Sequence, residues 1–113
     1  MRPIIIDNLQ VWPEDLGEMT WDEATQRVKE LGEGWRLPTI EELKETLYPN
    51  MKRIPDLKAG IYWSSSEYYA NHAWIFNFSN GYALYHNNLT TYYVRAVKTF
   101  DGGAALELLL KEF

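Results

Sequence analysis

The spacing of apolar side chains in this chain changes once, and that change restricts the folds open to it. Between Trp21 and Leu47 apolar residues recur three or four apart, as on a helix face, whereas from Ile61 they alternate, as on a strand. Each helical stretch carries its own start signal. In "MTWDEATQRVKELGEG" Thr20 is placed to cap the first amides and Glu23 to reach back to it, a capping box that satisfies orphan donors reciprocally. Trp21, Ala24, Val28 and Leu31 follow on one face, and Gly32 supplies the stop. "GWRLPTIEELKETLYP" repeats the device. Pro38 holds Leu37 extended, Thr39 and Glu42 form the box, Ile40, Leu43 and Leu47 share a face, and Pro49 marks the end. Residues 50–60 read as loop, with Pro55 and Gly60 as punctuation.

The alternating part begins with the short strand "IYWSS". "AWIFNFS", "NG" and "YALYHN" then form a hairpin pattern, because Asn-Gly accepts the positive φ of a tight turn. If Asn80 and Gly81 are the two turn residues, opposed positions sum to 161. Trp74, Phe76 and Phe78 then share a face with Ala83 and Tyr85, and this more apolar set is the expected core face. Ile75, Asn77 and Ser79 share the other with Tyr82, Leu84, His86 and Asn88, the expected outer surface. "YYVRAVKTF" reads as one last strand, and "RPIIIDNLQVW" as an N-terminal strand able to pair with it. Helices first and antiparallel strands after make an α+β domain over residues 1–100. Residues 101–113, "DGGAALELLLKEF", read as a short helical extension whose Leu106, Leu109, Leu110 and Phe113 must dock on the domain or on a second subunit. Residues 104–113 are thus a possible homo-oligomer contact.

Charge is distributed unevenly. No Asp, Glu, Lys or Arg occurs between Glu67 and Arg95, yet this segment holds six of the eight tyrosines and five of the seven asparagines. Tyrosine offers large contact area with few torsions to freeze, and asparagine offers adaptable hydrogen bonds, the pairing favoured in antibody paratopes. A face without ions also spares a partner the desolvation of charge. The plainer alternative is that Tyr and Thr are simply good strand formers. On the recognition reading the ligand-binding residues are Tyr68, Asn71, Asn77, Tyr82, His86, Asn88 and Tyr92. Tyr68, Tyr82 and Tyr92 are the stacking anchors, and the asparagines and His86 set orientation.

Several function classes fall away on composition. A net charge of −5 disfavours nucleic acid and anionic membranes, and the chain has no cysteine for disulfides or thiolate chemistry. No apolar run approaches the roughly 20 residues of a membrane span. The start "MRPIIIDNL" lacks the apolar length of a signal peptide, so cytoplasm is the default expectation, replaced by an extracellular or surface location for an excised domain or virion component. His72 and His86, the two histidines, fall on opposite faces by the hairpin pairing, so no shared metal is expected. Neither a nucleophile nor an orienting carboxylate accompanies His86, and "SSS" at 64–66 lacks the glycines of a nucleophile elbow. No catalytic residue, cofactor or metal is expected. Trp35 and Trp63 read as core, and Arg36 and Arg95 as partners of acids or carbonyls.

Taken in order, "MTWDEA", "GWRLPTIEEL", "YWSSS", "AWIFNF" and "YYVRAVK" resemble the C-terminal domain of bacterial collagen-like adhesins, over roughly residues 9 to 98. The resemblance implies a C-type-lectin-like fold, in which two helices flank a twisted antiparallel sheet and the N- and C-terminal strands pair. It also implies a ligand surface on the later strands and loops. Relatives of that fold include the variable proteins of diversity-generating retroelements, which tolerate substitution at exposed Asn- and Tyr-rich positions. The sequence departs from its relatives at Ala96, where the family often has Cys. It also lacks the Glu-Pro-Asn, Gln-Pro-Asp and Trp-Asn-Asp motifs of calcium-dependent lectins, so binding is expected to be calcium-independent. "RLPT-x-x-E" is similar to the sulfatase-modifying enzymes of the broader fold, whose oxidative chemistry needs the cysteine this chain lacks. The implied function is non-enzymatic recognition of a protein or carbohydrate ligand. The alternative is an assembly subunit that buries the same face, or its Leu-rich tail, between copies.

Overall fold

A computed structural model describes residues 3–100, so the C-terminal extension expected at 101–113 lies outside the described residues. Two sheets and two helices make up the rest. The small sheet contains β1 (Ile4–Ile6), β2 (Leu9–Val11) and β8 (Val97–Thr99) in the order β1-β2-β8. The larger contains β3 (Glu18–Met19), β4 (Ile61–Tyr69), β5 (His72–Asn77), β6 (Tyr82–Asn87) and β7 (Tyr92–Tyr93), in the order β3-β7-β4-β5-β6. The expected pairing of the chain's two ends is present, since Leu9–Val11 runs antiparallel to Val97–Thr99.

Both capping boxes form. Thr20 and Glu23 exchange hydrogen bonds at the start of α1 (Trp21–Lys29), and Thr39 and Glu42 do the same, at 2.8 and 3.1 Å, at the start of the second helix. That second helix is not the regular α-helix its spacing suggests. Over Glu42–Leu47 it widens to a π-helix, and the Tyr48 N–H donates to Leu43 O at 2.9 Å. The wider turn still buries Leu43 and Leu47 and sends the Tyr48 ring against Phe76 and Phe78, with centroids 5.2 and 6.0 Å away.

Other expectations are corrected. "RPIIIDNLQVW" is a hairpin rather than one strand, because Asp7 takes a φ of 53° and reverses the chain between Ile6 and Leu9. "YYVRAVKTF" is two strands in different sheets, β7 and β8. Between them Val94 and Ala96 are buried and Arg95 is drawn inward by its partners, so the chain crosses from one sheet to the other. Pairing is not wholly antiparallel, since β7 meets β4 in parallel at Tyr62 and Tyr93. The loop at 50–60 includes a 3-10 turn, Met51–Arg53. Finally, β5 and β6 pair Asn77 with Tyr82 and Trp74 with Tyr85, two residues away from the expected register. Phe78 is buried in the core, so the chain turns through residues 78–81 instead of Asn80 and Gly81 alone. An even shift preserves each side chain's face.

The larger sheet is covered on both sides, which overturns the division into one core face and one outer face. Tyr62, Phe76 and Phe78 pack with Leu43 and Leu47 of the second helix and with the small sheet. Trp63, Ala73 and Ile75 pack with Ala24 and Val28 of α1. Ile75, expected outside, is therefore buried. Beneath these layers sits Arg95, fully buried and ion-paired with Asp15 at 2.7 Å. It also donates to the carbonyls of Trp12 and Pro55, while Tyr62 Oη donates to the other Asp15 oxygen. Burial and the neighbouring Asp15 carboxylate push the Tyr62 phenol well above its ordinary range.

Candidate functional site

At the edge of the larger sheet lies β6, whose Ala83 packs against the core while all its other side chains are exposed. Among the described residues every exposed large hydrophobic side chain except Ile5 falls between Tyr68 and Leu89. They are Tyr68, Tyr69, Tyr82, Leu84, Tyr85 and Leu89. The charge-free segment is thus also the apolar surface of the domain.

Strand geometry divides that surface in two. On the α1 side, β6 presents Tyr82, Leu84 and His86. Two grooves there meet at Ile61 and Asn77. One, of about 400 Å³, runs beneath Glu18, Gly60, Ser79, Tyr92 and Tyr93. The other, of about 250 Å³, is lined by Ile75, Tyr82 and Leu84. Tyr92 stands edge-on to Trp63 at 5.1 Å and to His86 at 5.7 Å, and partial burial raises its phenol pKa. The Tyr93 phenol is also raised, through its hydrogen bond to Glu18, the single charged residue of the two grooves. The His86 ring meets Thr90 Oγ1 at 2.9 Å.

The opposite side carries an aromatic cluster. Tyr68 stacks on Tyr85 with centroids 4.0 Å apart and planes 11° apart, and both meet Trp74 edge-on. Tyr69 stacks on His72 at 4.6 Å. Tyr85, expected in the core, is 46% exposed because the second helix covers only the Phe76 end of this face. A groove of about 230 Å³ separates that helix from the hairpin, between Trp74 and Ala83 on one side and Glu41, Lys44 and Glu45 on the other.

The sequence-selected residues are therefore not one constellation. Asn77, Tyr82, His86 and Tyr92 lie on the α1 side, Tyr68 lies on the other, and Asn71 and Asn88 sit where the strands end. The asparagines have local duties. Asn71 takes a φ of 63° in the turn, and its carbonyl accepts from the Asn88 amide. The side-chain oxygens of Asn77, Asn80 and Asn87 accept backbone amides two residues on, which leaves their NH₂ groups as the adaptable donors. Asn88 Oδ1 is buried without a partner among the described residues. Asparagine enrichment thus reflects turn chemistry first. Tyr69, Tyr85 and Leu89 are surface residues that alternation alone did not place outside, and the edge position of β6 is what exposes Tyr85.

Two of the three serines, Ser64 and Ser66, hold the bulge in β4 together. Ser64 Oγ donates to Trp74 O and accepts from Ser66 N–H, and Ser66 Oγ accepts from the Ile40 amide. Among the described residues no three His, Asp or Glu side chains are grouped to hold a metal ion, and no helix is long and apolar enough to cross a membrane.

No curated protein compared with the chain matches it. A family model does, over residues 6–98, a span from the last residue of β1 to β8 that takes in both helices and the charge-free segment. The chain belongs to the Lcl C-terminal domain family, the C-terminal domains of collagen-like adhesins.

Proposed function

We propose that this domain is a C-type-lectin-like recognition module that binds a protein or carbohydrate by stacking and neutral hydrogen bonds, without calcium and without catalysis. The observation that carries the reading is the confinement of exposed large apolar side chains, Ile5 apart, to the one segment that has no charge. Exposed apolar side chains gathered on one part of a domain mark a contact surface, and membership in an adhesin domain family is consistent with that use. The α1-side grooves are the favoured seat. They are concave, lined by Tyr82, Tyr92 and Tyr93, and supplied with polar groups by Asn77 and Ser79. Aromatic faces stack on sugar rings or apolar peptide side chains, and carboxamides fix orientation. Calcium takes six to eight oxygens, several of them carboxylate, and Glu18 is the single carboxylate in the grooves.

The test is capture of ligands from a glycan panel and from cell lysate, with calcium and with chelator. A Tyr82→Ser, His86→Ser, Tyr92→Phe variant is run beside the parent. Phenylalanine at 92 keeps the packing on Trp63, so the variant should melt near the parent. Capture by the parent in chelator, lost in the variant, is the expected result. Capture that needs calcium, or that survives in the variant, refutes the reading.

A further inference from the structure

We infer that β6 pairs with β6 of a second copy of this chain, so that the recognition face is completed across a two-fold axis. The part about the face rests on the function proposed above; the pairing itself does not.

An edge strand offers unpaired backbone groups, and soluble proteins ordinarily protect such edges with lysine, proline or a bulge. β6, "YALYHN", has none of these. It pairs with β5 in unbroken register, contains no charged residue, and exposes Tyr82, Leu84 and Tyr85 at 69%, 60% and 46%. A chain of net charge −5 repels its own copy over most of its surface. Along this edge that repulsion is least. The charges that line the groove beside Ala83 are Glu41, Lys44 and Glu45, of mixed sign.

Backbone geometry selects one register. The Asn88 amide donates to Asn71 O, so the even-numbered residues of this strand turn their backbone groups toward β5. Ala83, Tyr85 and Asn87 then face outward, but Asn87 O already accepts the Thr90 amide. Among the described residues Ala83 and Tyr85 are left with free donors and acceptors. A two-fold axis at Leu84 pairs Ala83 with Tyr85 of the partner subunit, and Tyr85 with the partner's Ala83, which makes four hydrogen bonds. An axis at Tyr85 would instead oppose Ala83 to the partner's Asn87, whose carbonyl is taken. In the selected register Leu84 meets the partner's Leu84, and Tyr82 lies beside the partner's His86 on the α1 side. Ala83, the smallest side chain of the strand, sets no obstacle beside the partner's Tyr85, whose ring leans inward on Tyr68 and Trp74. Each ligand face thereby gains an aromatic neighbour from the other copy.

The experiment is sedimentation of the full chain over a concentration series, with Leu84→Lys and Tyr68→Lys variants. At the axis two Leu84→Lys side chains would stand with Cα atoms about 4.5 Å apart, and like charges so placed oppose pairing. The parent should be a dimer, Tyr68→Lys should remain one, and Leu84→Lys should be a folded monomer that melts like the parent diluted until it dissociates. Amide exchange at Ala83 and Tyr85 should be slow in the parent and fast in Leu84→Lys. A parent that stays monomeric to millimolar concentration overturns the inference, as does a dimer indifferent to Leu84→Lys. No ligand is present, so either failure leaves the proposed recognition function to its own capture test.

Discussion

Replacing Arg95 by leucine removes four interactions that meet at one buried guanidinium. They are the 2.7 Å ion pair with Asp15, the 2.7 Å bond from Nε to the same carboxylate, and the bonds to Trp12 O and Pro55 O at 3.0 and 2.9 Å. The Arg95 side chain is fully buried and that of Asp15 is 11% exposed, so water does little to replace what is lost. Leaving a buried charge without its partner costs about 3–5 kcal/mol, and each orphaned carbonyl about 1–3 more, not additively. An expected loss of roughly 4 kcal/mol is a large share of the 5–15 kcal/mol typical of a domain. It corresponds to a fall in Tm on the order of 15–30 °C for a chain of this size. The assay is urea unfolding followed by tryptophan fluorescence, with a double-mutant cycle through Asp15→Ala. The Asp15→Ala, Arg95→Leu pair should cost less than the sum of its parts, with a coupling of at least about 1 kcal/mol. A single-variant loss below about 1 kcal/mol, or strict additivity, would refute the assignment of Arg95 as the tie between the N-terminal loop, the 54–60 loop and the crossover into β8.

Gly81 has a φ of +78°, and a Cβ there would lie 2.9 Å from the Tyr48 ring, so Gly81→Ala should cost about 1–2 kcal/mol in urea unfolding. A neutral result would contradict the turn geometry. Burial alone would raise the Glu42 carboxyl, but the hydrogen bonds from Arg36 and Thr39 outweigh it and hold the pKa below the ordinary value. Because the folded pKa is lowered, the contribution is complete above the unfolded value, about 4.3, and is lost as pH falls through the folded one. Glu42→Gln should therefore destabilise the protein at neutral pH and flatten the loss of stability as the pH falls below about 4.3; unchanged acid sensitivity would count against the Arg36 pair.

Local signals gave the parts of the fold that are local. Thr20 with Glu23 and Thr39 with Glu42 marked both helix starts, and the caps are there. The hairpin was legible from its alternation, but its register was not, because burial of Phe78 outweighs the Asn-Gly preference and lengthens the turn. The π-helical widening at Tyr48 and the crossover between Tyr93 and Val97 depend on tertiary partners, the Phe76 and Phe78 rings and the Asp15 carboxylate, that lie far away in sequence. The surface followed the same rule. Missing charge pointed to the segment at 68–94, yet only the strand order shows that β6 is an edge, and so that Tyr85 is exposed as well as Tyr82 and Leu84. The asparagines attracted attention by number, and the side-chain oxygens of three of the five prove to be turn-formers.

Once a ligand is captured, the decisive measurement is an amide chemical-shift titration of the isotopically labelled chain with it. The account predicts perturbations concentrated at Asn77, Tyr82, Leu84, His86 and Tyr92, with the outer face of α1 at Asp22, Gln26 and Lys29 unmoved. Perturbations centred on α1 or on the small sheet, with Tyr82 and His86 silent, would contradict it.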